Sequence, residues 1–180
     1  MALIALSTGA IGVKWIYNTK LNELGEVDKY KSRLVVKGYT QEHVIDYTEV
    51  FAPVARMDTV RMIIAFAALK GWKLYQLVNS VFLHGELKED IFVEQSRGYE
   101  KRGSEHMVYK LNKALYGSKQ APRAWFSRIE SYFIKKSFES SSSEHTFFVK
   151  RKKGNILIVS IYVDDLLFTS KHYSENLNVL

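Results

Sequence analysis

Two adjacent carboxylates, Asp164 and Asp165, carry the clearest chemical signal in the sequence. They follow Tyr162-Val163 and lie between two mainly apolar runs, residues 156–161 and 166–168. Carboxylates in apolar surroundings are costly to desolvate unless a cation or water meets them. A strand–turn–strand with both acids at its tip would therefore present them to a divalent metal ion. A solvated hairpin turn is the alternative interpretation, because Asp is also a common turn residue.

Other common catalytic patterns are absent from the sequence. It contains no G-x-S-x-G elbow, Walker loop or G-x-G-x-x-G segment, so hydrolase, nucleotide-switch and dehydrogenase functions lack support. The five histidines show no paired zinc-ligand spacing, and the absence of cysteine rules out disulfides and thiolate metal sites. The remaining chemistry is a carboxylate-held metal acting on phosphates. Two Mg²⁺ ions about 3.5–4 Å apart could activate a 3′-hydroxyl and stabilise a leaving pyrophosphate. Such a site needs a further carboxylate from another element.

The composition is that of a globular protein with a basic surplus. The 180 residues are enough for one domain with a sizeable core, and 47% of them are hydrophobic. No apolar run approaches the roughly 18 residues of a membrane span, and the apolar start lacks the basic segment of a signal peptide. We therefore expect an intracellular protein, cytoplasmic or nuclear, with no membrane partner. The net charge of +7 favours a polyanionic partner, nucleic acid above all.

Hydrophobic periodicity predicts the strands that would position the acidic pair. They are expected at residues 14–19, 30–37, 72–80, 90–95, 108–111, 146–150 and 156–163. We expect residues 1–10 to be poorly ordered, residues 140–143 to form a flexible link, and residues 81–85 to form a tight connection. With two helices, this order of elements predicts an α+β fold in which helices cover one face of an antiparallel sheet.

Two helices follow from capping signals and helical spacing of apolar residues. Asp58 or Thr59 can cap the first helix, and Gly71 closes it. Pro122 fits the first turn of the second helix, which is predicted to reach about Lys136.

A basic hairpin is predicted at residues 14–37. Two interpretations of its charges remain open, a solvated edge that discourages strand pairing and a phosphate-binding surface. The charged residues are Lys20, Lys29, Lys31, Arg33 and Lys37.

Six blocks of the sequence together resemble the copia-type retrotransposon reverse transcriptase. They occur in the order of that family, cover about residues 11–170, and are most similar to plant members. The blocks are Lys14–Tyr17, Tyr30–Gln41, Phe51–Arg56, Phe82–Leu87, Ala114–Trp125 and Tyr162–Asp165. The resemblance divides the chain into a divergent segment at 1–10, a polymerase domain at 11–170 and a polar tail at 171–180.

The resemblance implies the fingers and palm portion of a right-hand polymerase, that is, an RNA-directed DNA polymerase. Asp164 and Asp165 match the catalytic, metal-binding pair of the palm hairpin, so Mg²⁺ or Mn²⁺ is the implied cofactor. The implied partners are an RNA or DNA template-primer and deoxynucleoside triphosphates. The oligomeric state does not follow from the resemblance.

Four further residues match nucleotide-binding positions of the family. Phe82 matches the aromatic residue that lies under the incoming sugar and excludes a 2′-hydroxyl. Arg33 matches the fingers arginine that contacts the incoming triphosphate, and Tyr116 and Gly117 match the segment that lines the nucleotide and template pocket. Ordinary packing or a surface charge is the alternative role for each.

One departure from the family pattern weakens the expected metal site. The family reads Gln-Leu-Asp-Val-x-Ser-x-Phe where this chain reads Gln-Leu-Val-Asn-Ser-Val-Phe at residues 76–82. The aspartate between Leu77 and Val78 is therefore absent and the segment is one residue short. Because a one-residue slip turns strand side chains to the opposite face, either residues 72–77 flip or the loop near Phe82 absorbs the shift.

The resemblance and this departure lead to three hypotheses. The first is a truncated reverse transcriptase domain with weakened metal binding that is inactive or nearly so, with a loss of roughly three or more decades in rate. The second is a non-enzymatic nucleic-acid-binding remnant that uses the basic hairpin. The third is a chain that does not fold alone.

Overall fold

The computed structural model describes residues 2–5, 9–78, 85–152, 154–163 and 165–171. Within these residues the chain forms three antiparallel sheets and two α-helices. The predicted α+β class with antiparallel pairing is confirmed, whereas the expected single sheet covered by helices is wrong. The strands are β1 (Ala2–Ala5), β2 (Val13–Leu21), β3 (Val27–Val36), β4 (Lys73–Val78), β5 (Glu86–Val93), β6 (Met107–Lys113), β7 (Glu139–Ser140), β8 (Phe147–Lys152), β9 (Asn155–Tyr162) and β10 (Asp165–Ser170).

The helices are α1 (Met57–Lys70) and α2 (Ala121–Lys135), and Gly38–Thr40 forms one 3₁₀ turn. The chain divides into two compact units. The first comprises Met1–Val50 and Phe82–Trp125, and the second comprises Phe51–Val81 and Phe126–Leu180.

The first unit contains two of the sheets. One has the strand order β1-β6-β5, and the other is the two-stranded ribbon of β2 and β3. The ribbon forms where the sequence alternates apolar and polar residues, and the Asn22 side chain closes its turn by accepting hydrogen bonds from the N–H groups of Leu24 and Glu26. A small apolar cluster forms the core of this unit, consisting of Ile11, Val36, Ile91, Val93 and Leu111.

The second unit is built on a five-stranded sheet with the order β4-β10-β9-β8-β7. Phe133 of α2 and Phe148 of β8 are fully buried in its core, and their ring centroids lie 5.0 Å apart. The helical spacing of Phe126, Ile129 and Phe133 places these side chains on the core face of α2. This core supports the hairpin of β9 and β10, which carries Asp165 at its tip.

The start of α1 differs from the prediction. The helix begins at Met57, so Asp58 and Thr59 lie inside its first turn, and Arg56 is the capping residue without a side-chain cap among the described residues. The hydroxyl of Thr59 instead donates a hydrogen bond to Glu144, 3.2 Å away. The predicted end is confirmed, because Gly71 adopts a left-handed conformation with φ 63°.

Two segments expected to lack structure form short strands. Ala2–Ala5 pairs with β6, so the expectation of poor order at residues 1–10 is wrong for this stretch. Ser140 belongs to β7, which pairs with β8, so the expected flexible link at 140–143 is wrong at its first residue. Both segments are too short for periodicity to reveal, and pairing with another strand orders them.

The strand before the missing aspartate keeps its apolar side chains on the core side. Tyr75 and Leu77 pack against the core of the second unit, while Gln76 between them contacts Asp165. A flip of residues 72–77, one of the two expected responses to the deletion, is therefore wrong. The other response concerns the loop at Phe82, which lies outside the described residues, as does the predicted connection at 81–84.

Neither of the two helices in the described part of the chain is long and apolar enough to cross a membrane.

Candidate active site

Asp165 is the first residue of β10 and lies at the tip of the central hairpin. Its pairing partner is Tyr162, the last residue of β9, so only two residues connect the strands. Val163 is one of them and adopts φ 57°, which is strained for a β-branched side chain. Strain of this kind persists where the surrounding pairing imposes it. Asp164, the other residue of the turn, lies outside the described residues.

The Asp165 carboxylate is half-buried at the edge of a cleft in the second unit. Gln76 donates its side-chain N–H to Asp165 Oδ2 over 2.9 Å. The cleft has a volume of about 400 Å³, and its remaining lining is mostly apolar. Its lining residues are Met57, Val60, Ile64, Leu74, Gln76, Tyr162, Asp165 and Leu167.

The register of β4 and β10 locates the position of the expected third carboxylate. Val78 is the Cα partner of Asp165, and Gln76 is the partner of Leu167. An aspartate inserted after Leu77 would take the register position that Val78 now holds. It would therefore stand directly opposite Asp165, where paired residues on one face bring their Cβ atoms to about 4.5–5.5 Å.

The described residues by themselves do not form a divalent-metal site. Mg²⁺ in proteins is held by oxygen ligands in octahedral geometry, usually including one or two carboxylates. Asp165 is the single described carboxylate of the cleft, and no group of three or more metal-binding side chains occurs within the described part of the chain. The donor set is thus incomplete without Asp164, and the sequence supplies no acid next to Leu77.

Three of the predicted nucleotide-binding residues come together in the first unit. The guanidinium of Arg33 on β3 lies over the Tyr116 ring, 5.8 Å from its centroid. The N–H of Val36 donates to the Tyr116 carbonyl over 2.7 Å, which fastens the Tyr116–Gly117 segment to the end of β3. Phe82, the fourth predicted residue, lies outside the described residues.

Gly117 allows this segment to cross close to β3. Its φ is 89°, and a Cβ at this position would lie 2.2 Å from the Val36 carbonyl oxygen. A Cβ on Gly38 would likewise lie 1.9 Å from the Gly117 carbonyl oxygen. Both glycines are therefore required for the close approach of the two backbones.

A buried amide network next to this crossing was missed by sequence reasoning. Gln41 and Gln120 are buried, and Gln41 donates its side-chain amide to Gln120 over 3.1 Å. Gln41 also accepts from the Lys119 N–H, and the Lys119 ammonium donates to the Tyr47 hydroxyl over 3.1 Å. Both glutamines lie in sequence blocks that resemble the family, and this position was the signal that could have identified them.

All five basic residues of β2 and β3 share one face of the ribbon. Strand neighbours alternate, and the register pairs Lys20 with Lys29, Asn18 with Lys31, and Ile16 with Arg33. We call this surface the basic face, and it consists of Lys14, Lys20, Lys29, Lys31 and Arg33.

Comparison with known proteins gives a consistent result. Residues 4–179 match the family model described as reverse transcriptase (RNA-dependent DNA polymerase). The chain is 41% identical over 160 residues to the retrovirus-related Pol polyprotein from transposon TNT 1-94 of Nicotiana tabacum, covering 88% of this chain and 12% of that protein. It is 39% identical over 160 residues to the Pol polyprotein from transposon RE1 of Arabidopsis thaliana, covering 88% of this chain and 11% of that protein.

A further relative matches a shorter segment of the chain. The uncharacterized mitochondrial protein AtMg00820 of Arabidopsis thaliana is 44% identical over 72 residues, or 40% of this chain and 41% of that protein. No solved structure matches the chain significantly.

Proposed function

Because this chain belongs to the reverse transcriptase (RNA-dependent DNA polymerase) family, with copia-type Pol polyproteins of plants among its relatives, we propose that it is a polymerase domain with an impaired palm site. In this proposal the second unit corresponds to the palm and the first to the fingers. Residues 11–170 form the polymerase segment, flanked by residues 1–10 and 171–180. The observation that carries the impairment is the pairing of Asp165 with Val78.

Asp164 and Asp165 are the proposed metal ligands of the palm. A bound Mg²⁺ or Mn²⁺ would supply Lewis-acid stabilisation of the transferring phosphate. Gln76 orients the Asp165 carboxylate through its 2.9 Å hydrogen bond. With a valine at the register position opposite, the pair lacks the carboxylate expected from β4, so we propose that it binds the ion weakly.

Arg33, Tyr116, Gly117 and Phe82 are the proposed nucleotide-binding residues. The cation of Arg33 provides a charge for the triphosphate, and its position over Tyr116 limits the directions in which it can point. Gly117 leaves a backbone surface without a side chain, which suits close approach of a ligand. Proximity of the first three residues supports this proposal, and the partners it implies are deoxynucleoside triphosphates and a template-primer.

Primer extension on an RNA template tests the proposal. We expect the unaltered chain to give no Mg²⁺-dependent extension above background. Val78→Asp places a carboxylate opposite Asp165 without lengthening the chain, and it should raise extension above that of the matched Val78→Ala control. Robust extension by the unaltered chain that disappears in Asp165→Asn would show that the palm site is intact and would refute the impairment.

A second candidate is a nucleic-acid-binding module without catalysis, and the basic face favours it. Lys20 and Lys29 are directly paired across the ribbon, and like charges in this position are destabilising unless an anion lies between them. The Lys29 ammonium lies 3.3 Å from Asp28, which offsets part of one charge. Five cations on one face of a ribbon suit the phosphates of a nucleic-acid backbone.

A further inference from the structure

The cleft beside Asp165 lies on the face of the five-stranded sheet opposite the core of the second unit. Strand neighbours alternate between the two faces of a sheet, and the residues between the cleft positions of β4 and β10 pack in the core. Leu74 and Gln76 of β4 therefore share the outer face with Asp165 and Leu167 of β10, and Gln76 is directly paired with Leu167.

The other wall of the cleft is one stripe of α1. Met57, Val60 and Ile64 line the cleft, and spacings of three and four residues place them on the same side of the helix. The cleft is thus a slot between a helix and the outer face of two paired strands. All of these elements belong to the second unit.

The walls of this slot leave apolar surface open to solvent. Met57, Ile64, Leu74 and Tyr162 line it and are 52%, 47%, 38% and 41% exposed. Single exposed apolar residues are ordinary, but a contiguous set around a concave surface is typical of a ligand-binding groove. The volume of about 400 Å³ lies within the range of small-molecule sites, about 300–1,000 Å³.

One negative charge stands at the edge of these apolar walls. Asp165 is the single charged side chain among the described residues of the lining. Its Oδ2 accepts the hydrogen bond of Gln76, whereas Oδ1 has no hydrogen-bond partner in the described part of the chain. Arg61 of α1 does not offset the charge in the cleft, since it pairs with Asp58 over 3.5 Å on the exposed side of the helix.

The combination of apolar walls and one carboxylate selects a class of ligand. A phosphate or a nucleotide would bring negative charge to Asp165, and hydrated Mg²⁺ gains nothing from apolar walls because it releases its water reluctantly. A small molecule with an apolar body and one ammonium group matches both features. Tyr162, the pairing partner of Asp165, adds an aromatic ring to the lining, and such rings attract cations.

We infer that this cleft binds small amphiphilic amines, with the apolar body between α1 and the sheet and the ammonium group at Asp165. The inference goes beyond the proposed function, because it requires the carboxylate but no catalysis. Competition between the amine and a metal ion follows if Asp165 also holds that ion, and this consequence alone rests on the proposed function.

A fluorine NMR titration of the full chain with 4-(4-fluorophenyl)butylamine, in the presence of a chelator, tests the inference. We expect a dissociation constant of about 1 mM or tighter. The alcohol of the same length, 4-(4-fluorophenyl)butan-1-ol, should bind at least about fivefold more weakly, because it cannot form a charge-assisted hydrogen bond with Asp165. Butylamine, which lacks the ring, should show no binding at the same concentrations.

Two variants separate the contributions of the charge and of the apolar wall. Asp165→Asn keeps the size of the side chain but removes its charge, and it should weaken amine binding about tenfold while leaving the alcohol unaffected. Ile64→Lys places a cation in the slot and should abolish amine binding. Leu69→Lys is the matched control, because Leu69 is 81% exposed on the same helix but does not line the cleft. It should bind the amine as the unaltered chain does.

Any of three results would overturn the inference once thermal unfolding has shown that the chains are folded. They are absence of amine binding by the unaltered chain, equal affinity for the amine and the alcohol, and equal affinity of the Ile64→Lys and Leu69→Lys variants for the amine. Titration in Mg²⁺ keeps the palm proposal separate. A dissociation constant that Mg²⁺ does not change would count against metal binding by Asp165 and would leave the amine site intact.

Discussion

The side-chain amide of Gln76 donates a hydrogen bond to Asp165 over 2.9 Å, across the pairing of β4 and β10. This contact ties the acidic hairpin to the strand that should carry another acid. It also satisfies one carboxylate oxygen with a neutral donor, which lies two residues before Val78 on β4.

Gln76→Glu replaces this hydrogen bond by a contact between two carboxylates. In the presence of a chelator we expect the free energy of unfolding to fall by about 1 kcal/mol, because the hydrogen bond is lost and the two carboxylates repel each other. Added Mg²⁺ should restore stability, because oxygen ligands from two carboxylates bind a hard cation. Thermal unfolding with and without Mg²⁺ measures both effects. Gln76→Met is the control, and it should lose stability that Mg²⁺ does not restore. If Mg²⁺ also fails to restore the stability of the Gln76→Glu variant, the Asp165 carboxylate is not accessible to a metal ion.

Gly117→Ala should destabilise the first unit by about 3 kcal/mol or more. The new Cβ would lie 2.2 Å from the Val36 carbonyl oxygen, and the φ of 89° at this position is unfavourable for alanine. Gly103→Ala separates these two causes, because φ there is 75° and nothing lies within 4 Å of the added Cβ. We expect it to cost about 1–2 kcal/mol. Urea unfolding of both variants gives the comparison, and equal losses would mean that the backbone crossing tolerates a side chain.

Glu144 makes stability depend on pH at the acidic end. Burial of its carboxylate opposes ionisation, but hydrogen bonds from Thr146, Arg56 and Thr59 outweigh it and hold the pKa below the ordinary 4.5. A carboxylate whose pKa is lower in the folded state stabilises the fold. This stabilisation is complete at a pH above its unfolded-state pKa and is lost as the pH falls through its folded-state pKa. Glu144→Gln should therefore cost about 1.5–3 kcal/mol at neutral pH and much less in acid.

Urea unfolding of the Glu144→Gln variant and of the unaltered chain, at pH 7 and at pH 3, measures this difference. Glu139→Gln is a suitable control, because Glu139 pairs with Arg151 on an exposed surface and such pairs contribute little. A pH-independent loss in the Glu144 variant would assign its effect to packing rather than to charge.

Salt titrations distinguish the basic face from a merely solvated edge. Lys31→Ala and Arg33→Ala should each weaken binding to a primer–template and lower the slope of log affinity against log salt by about 0.9. Lys70→Ala removes the same charge from the end of α1 and should leave the slope unchanged. Slopes that are equal in all three variants would favour a solvated edge.

The sequence predicted most elements because their signals are local. Alternating residues defined β2 and β3, helical spacing defined α1 and α2, and a glycine marked the end of α1. Ala2–Ala5 and Glu139–Ser140 were missed, since their order comes from pairing with β6 and β8 rather than from their own composition.

The candidate site divides in the same way. The acidic pair, the missing aspartate and the family resemblance are matters of residue identity and order, which the sequence by itself determines. The contact of Gln76 with Asp165, the pairing of Asp165 with Val78 and the buried amides of Gln41 and Gln120 join residues about 80 positions or more apart. Tertiary structure decided these relationships, because strand register and buried hydrogen bonds depend on which distant segments pack together.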